Sequence, residues 1–414
     1  MAKIKAIRAR EILDSRGNPT IQTTIELDDS SHGTFSCPSG ASVGSHEAVE
    51  KRDGDPARYN GRGVLQNLES IVKVIAPKLL GQDAKNQAEI DQTLIEIDGT
   101  PNKANLGANT ILSVSAAALV AQAASEKIPL FQYVAEIATT RDVAIPTPMF
   151  NILNGGTHAN FNVDIQEFMV VPIGQKNYSA CLEVATETYF SLQSLLKTMN
   201  LPILLGDEGG FAPPLSSNKQ ALDLLKEAAS KNRSQDHLDF ALDVAASNLR
   251  QQDGYKIKDS NKTLNAPDFT KYLEDLLANF PIHSIEDPFD QDDWVSWQIF
   301  TQKVGSKTSV IADDLTTTNK IRLEKAISEK AANAIIIKPN QIGTITETLE
   351  VVKSAKQAQF KIIASHRSGE TNDDFIADFA VGIGASYAKF GAPARGERVA
   401  KYNRLLEIEH ILSK

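Results

Sequence analysis

The hydrophobic and polar positions of the chain follow one pattern in the first third and another in the rest. Two strand-like runs, Ile4 to Asp14 and Thr20 to Asp29, flank the turn-forming segment Ser15 to Pro19, which predicts a β-hairpin. A third strand is predicted at Gly33 to Cys37. Between Val64 and Lys127 the apolar residues recur at helical spacing in three segments. Strands followed by helices predict a small α+β domain.

The helical pattern stops between Thr139 and Pro148, and short apolar strands then alternate with helices such as Lys320 to Ala332 and Thr346 to Gln359. Alternation at this spacing predicts parallel β-α-β units, and so long a run fits the later part of a β/α barrel. We therefore predict an α/β protein with a C-terminal barrel. The predicted barrel strands are Phe240 to Leu242, Ile282 to Ile285, Ser309 to Ala312, Ala334 to Ile337, Lys361 to Ala364 and Ser386 to Ala388.

Each predicted barrel strand is followed by a charged or titratable residue, and these residues succeed one another at the spacing of one β/α unit. The C-terminal ends of barrel strands share one rim, which is where barrel enzymes carry their chemistry. A single charge at a strand end usually serves only solvation. Six in register, with the acids before the bases, indicate a functional rim: Asp243, Glu286, Asp313, Lys338, His366 and Lys389.

The three acids of this rim form an oxygen-only ligand set, which suits Mg²⁺ rather than Zn²⁺. In the alternative reading they only pair with the facing lysines, which would bury several charges for little stability. Lys338 is the predicted base, because desolvation, bound cations and a second lysine at position 389 would lower its pKa. The arrangement suits abstraction of a proton next to a carboxylate.

Three loops add candidates that carry little weight singly. The segment Ser365 to Thr371 offers an arginine and hydroxyls, which suit a phosphate or carboxylate. Glycines flank an acid in Gly206 to Gly210 and precede a histidine in Asn154 to His158. Gln166 and Glu167 stand in a strand-like run nearby.

Composition narrows the class of protein. A formal net charge of −9 argues against binding nucleic acid or an anionic membrane through a broad basic surface. Two distant cysteines give no disulfide framework, and the N-terminus lacks the apolar core of a signal peptide. The most apolar helical stretch, Ile111 to Ala124, is interrupted by polar residues and is expected to be too short to span a bilayer. We expect a cytoplasmic enzyme.

Together these segments resemble the enolase family from the N-terminal hairpin to about Leu406. The resemblance implies a smaller α+β domain over residues 1–136 that caps a TIM-like barrel over residues 137–414, whose first units are irregular. It implies interconversion of 2-phosphoglycerate and phosphoenolpyruvate, in which a lysine base acts with Mg²⁺. The motifs are Asp14 to Thr20, Pro38 to Ser42, Arg52 to Asp55, Gly206 to Gly210, Ser284 to Pro288, Asn340 to Thr344 and Ser365 to Thr371.

The resemblance also assigns roles by position. It makes Lys338 the base and Glu208 the acid that protonates the leaving hydroxyl, with Glu167 supporting it. The implied substrate-binding residues are His158, Gln166, Glu167, Arg367, Ser368, His366 and Lys389. Two Mg²⁺ ions are implied, and their ligands are Asp243, Glu286 and Asp313 for the first and Ser42, on a loop that closes over the site, for the second. A small phosphorylated substrate and a homodimer, or a higher homo-oligomer, are also implied.

Val43, Phe390 and Gly396 depart from the family pattern without removing a catalytic group. Rival readings are a serine hydrolase built on Gly40 to Gly44 with Asp313 and His366, and a mandelate-racemase or cycloisomerase relative. A closer rival is a paralogue acting on a phosphonate analogue. Secondary binding roles at a cell surface, after secretion, or in RNA processing are known for some members of the family.

Overall fold

The computed structural model describes residues 2–40, 44–231, 238–260 and 262–414. The chain begins with the predicted antiparallel sheet, and its strands are β1 (Ile4–Leu13), β2 (Pro19–Leu27) and β3 (His32–Ser36). The turn between β1 and β2 is closed by Asp14, whose Oδ1 accepts hydrogen bonds from the backbone N–H groups of Arg16 and Asn18 at 2.9 and 2.8 Å. The sheet therefore confirms the three strands that periodicity predicted.

Helices follow the sheet, as predicted, and pack on one of its faces. The first of them continues through a π-helical turn, Ile71–Ile75, from α1 into α2. Their bounds are α1 (Leu65–Ser70), α2 (Ala76–Leu79), α3 (Gln87–Asp98), α4 (Ala108–Glu126) and α5 (Leu130–Ile137). The predicted domain boundary, between residues 136 and 137, falls at the end of α5. It stays a prediction.

Helix α4 is the core helix of the N-terminal part. By length and composition alone, its 19 residues are enough to cross a membrane. The stretch Ile111 to Ala124, which was expected to be too short for this, is part of that longer helix. However, 83% of its apolar window is buried inside the protein, as expected for a helix that is apolar on every side. It approaches β3 so closely that a Cβ at Gly33 would lie 2.1 Å from the Ala121 nitrogen. Glycine is required at this contact.

The second part is a closed barrel of eight strands in the order β10-β11-β12-β13-β14-β4-β5-β6. The six predicted strands run parallel and β4 continues this parallel set beside β14, whereas β5 is antiparallel to both of its neighbours. This reversal is the irregularity implied for the first units. The barrel strands are β4 (Thr147–Asn154), β5 (Glu167–Pro172), β6 (Leu238–Asp243), β10 (Ile282–Glu286), β11 (Ser309–Ala312), β12 (Ala334–Ile337), β13 (Lys361–Ser365) and β14 (Tyr387–Lys389).

Helices surround the barrel, and one small sheet that periodicity did not predict lies between β6 and β10. That sheet consists of β7 (Arg250–Gln251), β8 (Gly254–Lys256) and β9 (Thr263–Leu264). The helices of this part are α6 (Tyr178–Thr198), α7 (Asn218–Ser230), α8 (Ala266–Asn279), α9 (Trp294–Val304), α10 (Lys320–Ser328), α11 (Ile345–Gln357), α12 (Phe375–Gly382) and α13 (Gly396–Leu412).

The N-terminal part docks on the C-terminal rim of the barrel. Ser39 and Gly369 exchange two backbone hydrogen bonds of 2.8 Å. The N–H of Ser15 donates to the Glu370 carbonyl at 2.6 Å, and that of Ser36 donates to the Asp373 carboxylate at 2.7 Å. These contacts hold the end of β3 and the turn after β1 against the loop that follows β13, beside the predicted functional rim.

Candidate active site

The strand ends gather the predicted residues around one cavity. Each of the six rim residues is the last residue of a barrel strand or directly follows one. The predicted residues that line the cavity are His158, Gln166, Glu167, Glu208, Asp243, Asp313, Lys338, His366, Arg367, Ser368 and Lys389. Glu286 does not line the cavity itself, but it forms an ion pair with Lys389, which does. Ser42 and Val43 lie outside the described residues, so the expectations for them stay predictions.

The reversed strand β5 explains how Glu167 reaches this rim. Because β5 runs antiparallel, its first residue lies where the parallel strands end, and Glu167 pairs in register with Asp243 and Asn154. Gln166 precedes it, and its Nε2 donates to Asp243 Oδ2 at 3.0 Å, while its Oε1 accepts from Thr157 at 2.6 Å. Gln166 thereby orients a predicted metal ligand.

Lys389 is buried among acids. Its Nζ lies 2.8 Å from Glu286, 3.2 Å from Glu167 and 3.8 Å from Asp243. Burial alone would lower the pKa of Lys389, but these carboxylates raise it well above its ordinary value. Lys389 is therefore a fixed positive charge beside the predicted metal ligands.

Lys338 forms an ion pair with Asp313 Oδ2. Burial acts to lower the pKa of Lys338, yet the adjacent Asp313 carboxylate outweighs it and raises that pKa above its ordinary value. The expectation of a lowered pKa included bound cations and stays a prediction, but it omitted the paired acid Asp313. Both lysines form ion pairs with the three acids of the rim. The contacts expected from the alternative interpretation, in which these acids only pair with lysines, are therefore present.

The donor set nevertheless fits a hard divalent cation. Carboxylates outnumber Lys338, Arg367 and Lys389 in the cavity lining by more than two to one among the described residues. Burial and the charges of Asp243 and Asp313 raise the pKa of Glu286 to about 8. Bound positive charge would relieve this repulsion, and carboxylate oxygens are the ligands that Mg²⁺ prefers.

Two acids that sequence reasoning missed add to this excess. Asp287 accepts hydrogen bonds from the backbone N–H groups of Asp313 and Asp314 at 3.0 and 2.9 Å, so it shapes the turn after β11. The carboxylates of these three residues lie within 4.8 Å of one another, close enough to hold a metal ion. The sequence could have indicated both acids, because Asp287 and Asp314 each directly follow a predicted ligand.

Glu208 lies on the other side of the cavity, within 4.8 Å of His158 and Glu167. Asn151, a β4 residue that sequence reasoning missed, donates to Glu208 Oε2 at 3.0 Å. On its other oxygen, Glu208 faces His366 Nε2 at 3.2 Å. The turn from Gly206 to Gly210 thus carries its acid into a buried cluster of titratable groups.

Glu167 and Glu208 share a buried environment in which one proton is favoured over two charges. Burial, and then the neighbouring Glu208 carboxylate, raise the pKa of Glu167 well above its ordinary value. Burial also acts to raise the pKa of Glu208, but the neighbouring His366 and His158 outweigh it and lower that pKa well below its ordinary value. Burial lowers the pKa of both imidazoles. The pair can therefore hold a proton at neutral pH, and that proton lies on Glu167.

We expect His366 to make the protein less stable in acid. Burial lowers the pKa of His366 to about 4, whereas an unfolded histidine titrates near 6.5. The unfolded chain therefore binds more protons between these values, and stability is lost as the pH falls through them. From pH 7 to pH 5 the wild type should lose about 2 kcal/mol more of its free energy of unfolding than His366→Gln does. Urea titrations at both pH values measure this, and equal losses would contradict it.

Arg367, the predicted anion-binding residue, is held by an acid in this structure. Its guanidinium makes a two-pronged ion pair with Glu47, at 2.8 and 3.2 Å, and Nη1 also donates to Asn340 Oδ1 at 3.1 Å. Glu47 also accepts from Gln341 Nε2 at 3.4 Å. No periodic signal marked Glu47, which stands just after the small-residue loop.

The described departures from the family pattern are accommodated by local packing. Phe390 is fully buried, with its ring 5.7 Å from that of Tyr402. A Cβ at Gly396 would meet only Asn372 Oδ1, at 3.9 Å, so nothing there requires glycine. The serine-hydrolase alternative is not favoured, because β3 is antiparallel and no helix begins in residues 44–50, whereas a nucleophile elbow joins a parallel strand to a helix.

Comparison with known proteins agrees with this geometry along the whole chain. The family model described as "Enolase, C-terminal TIM barrel domain" matches residues 142–414, and "Enolase, N-terminal domain" matches residues 4–134. The chain belongs to the enolase family. A curated protein named enolase, from Kineococcus radiotolerans, is 48% identical over 414 residues, which cover 100% of this chain and 95% of that protein. Enolases are hydro-lyases that use metal ions, and the mandelate-racemase and phosphonate alternatives are not favoured.

Proposed function

We propose that this protein catalyses the reversible dehydration of 2-phospho-D-glycerate to phosphoenolpyruvate. The observation that carries the proposal is the placement of Lys338 and the two acids on opposite sides of the barrel. In the closed strand order, β12, which leads to Lys338, lies four strands from β5, which begins with Glu167. Glu208 lies beside Glu167. A base and an acid placed in this way can reach a three-carbon substrate from opposite faces.

Lys338 is the proposed base for the C2 proton. Its removal of that proton requires a neutral amine, so the proton that it now shares with Asp313 must leave first. Without the Asp313 charge, burial and the positive charges of Arg367 and Lys389 would lower the pKa of Lys338. Lys338 would then be poised for proton abstraction.

Glu208 is the proposed acid that protonates the C3 hydroxyl as it leaves. Glu167 supports it by keeping a proton within the pair, and Asn151 fixes its carboxylate. His158 and His366 approach the same cluster from two loops. The proton that leaves with water therefore comes from a buried pair of carboxyl groups that solvent does not reach directly.

The remaining residues hold the substrate and the metal. Lys389 offers a fixed positive charge to the substrate carboxylate, and Arg367 with Ser368 binds its phosphate once Glu47 yields the guanidinium. We propose that Asp243, Glu286 and Asp313 hold one Mg²⁺ and that Ser42 helps to hold a second. When bound, Mg²⁺ supplies positive charge that stabilises the negative charge developing on the substrate carboxylate. Gln166 keeps Asp243 oriented for this role.

An assay with 2-phosphoglycerate tests this function. Purified protein supplied with Mg²⁺ should produce phosphoenolpyruvate, followed by its ultraviolet absorbance. Excess EDTA should abolish the activity, and added Mg²⁺ should restore it. A folded, metal-loaded protein without turnover would overturn the proposal, and faster turnover of a phosphonate analogue would favour the paralogue reading.

We further propose a cytoplasmic homodimer that acts on a small phosphorylated substrate, as the family implies. Cys37 and Cys181 are both free and buried, which agrees with a reducing compartment. Nucleic-acid binding and membrane insertion are not part of the proposal.

A further inference from the structure

Arg398 is a buried cation whose contacts none of the assignments above explains. It lies in the first turn of α13 and is 0% exposed. Its guanidinium donates to the backbone carbonyls of Arg367 and Ser368, both at 2.6 Å, and of Asp207 at 3.1 Å. Its nearest carboxylate, on Glu397, is 3.6 Å from Nε and makes no hydrogen bond to it. Burying a charge costs desolvation free energy, and here that cost is offset chiefly by neutral acceptors and not by a paired acid.

These acceptors belong to the two loops that carry the acid cluster. One loop, residues 366–368, presents His366, and the other, the turn from Gly206 to Gly210, presents Glu208. Arg398 contacts the backbone of both loops, and its Nη1 also lies 2.8 Å from His366 Nδ1. It is therefore a direct link between the histidine and the turn that bears the proposed acid.

The contact with Nδ1 determines where the proton of His366 lies. A guanidinium has only donors and stays protonated in proteins, so Nδ1 must accept with its lone pair. His366 is buried and neutral, and its one ring proton must then be on Nε2. Nε2 lies 3.2 Å from Glu208 Oε1, is not aligned for a hydrogen bond to it, and has no other partner among the described residues.

We propose that Arg398 is a positioning residue for the acid half of the reaction, because it fixes His366 as the Nε2–H tautomer and sets the distance between His366 and Glu208. In that state His366 presents a hydrogen-bond donor toward Glu208 and the leaving hydroxyl. If the proton moved to Nδ1, Nε2 would face the Glu208 carboxylate with a lone pair. The catalytic part of this inference rests on the proposed function, whereas the tautomer assignment does not.

A purely structural role for Arg398 can be separated from this one, because α13 has a second anchor. Arg404 on the same helix donates to the Asp378 carboxylate at 2.6 and 2.8 Å. Arg404→Lys therefore serves as the matched control: it perturbs a half-buried arginine contact of α13 without touching either loop of the acid cluster. Loss of helix docking alone should affect Arg398 and Arg404 variants alike.

Nitrogen-15 NMR of histidine-labelled protein tests the tautomer directly. In the wild type the Nδ1 resonance of His366, assigned by its absence in His366→Gln, should be of the unprotonated acceptor type and Nε2 of the protonated type. Arg398→Met should allow both tautomers, and Arg398→Lys, which keeps one donor, should restore the wild-type pattern in part. A proton on Nδ1 in the wild type would overturn the proposal, even where Arg398→Met does not fold.

The catalytic consequence appears in the balance of the two half-reactions. Arg398→Lys should slow dehydration of 2-phosphoglycerate about 10- to 100-fold, the usual cost of losing a residue that orients a functional group. Exchange of the substrate C2 proton with solvent should stay close to the wild-type rate, and Arg404→Lys should change neither. Equal loss of both processes, or the same loss in Arg404→Lys, would overturn the positioning role. A wild type inactive on 2-phosphoglycerate but with the assigned tautomer would instead contradict the proposed function.

Discussion

Replacing Lys338 by alanine should stop the exchange of the C2 proton of 2-phosphoglycerate with solvent and, with it, dehydration. Lys338 stands at the end of β12 in the cavity, with Nζ paired to Asp313. Removing a general base typically costs 10²- to 10⁴-fold, so the exchange rate should fall by about that factor. Proton NMR of the substrate in D₂O measures the loss of the C2 signal.

The control for this variant is a lysine on the adjacent strand at the opposite end of the barrel. Lys361 begins β13, and its Nζ donates to Ser309 at 3.0 Å, away from the cavity lining. Lys361→Met should retain both exchange and dehydration. Persistent exchange in Lys338→Ala, with substrate binding confirmed by calorimetry, would show that another group is the base.

Replacing Glu208 by glutamine should stop dehydration and leave part of the C2 exchange. The variant keeps the shape of the side chain and an acceptor for Asn151, but it cannot deliver a proton to the leaving hydroxyl. The base at Lys338 is on the far side of the barrel and keeps its own contacts. We expect dehydration to fall by about 10²-fold or more, the usual contribution of a general acid.

The neighbouring acid in the same turn supplies the control. The Asp207 side chain is 37% exposed and lies 3.7 Å from Arg16, whereas Glu167 and Glu208 are buried. Asp207→Asn should therefore keep most of the dehydration activity. If exchange and dehydration vanish together in Glu208→Gln while the substrate still binds, the assignment of separate base and acid is wrong.

The rim could be predicted from the sequence because it depends on periodicity. Parallel strands that alternate with helices place every strand end on one side, and this brought Asp243, Glu286, Asp313, Lys338 and Lys389 together without any knowledge of distances. The antiparallel β5 broke this regularity. The position of Glu167 on the rim therefore came from resemblance and not from spacing.

Contacts between distant segments could not be predicted in this way. Glu47 reaches Arg367 across 320 positions of the chain, and Asn151 reaches the turn that carries Glu208 from strand β4. The ion pair of Lys338 with Asp313 could not be predicted for the same reason, since charge sign alone does not show which acid lies at contact distance. Hydrophobic spacing locates the elements, whereas side-chain partners depend on how those elements pack.

We propose that one rim carries a base and an acid that act separately. A single NMR time course in D₂O, run on the wild type, Lys338→Ala and Glu208→Gln with 2-phosphoglycerate and Mg²⁺, tests it most directly. It records deuterium at C2 and the appearance of phosphoenolpyruvate together. We predict both in the wild type, neither in Lys338→Ala, and deuterium without phosphoenolpyruvate in Glu208→Gln. Deuterium incorporation in Lys338→Ala, or its absence from substrate-bound Glu208→Gln, would contradict the claim.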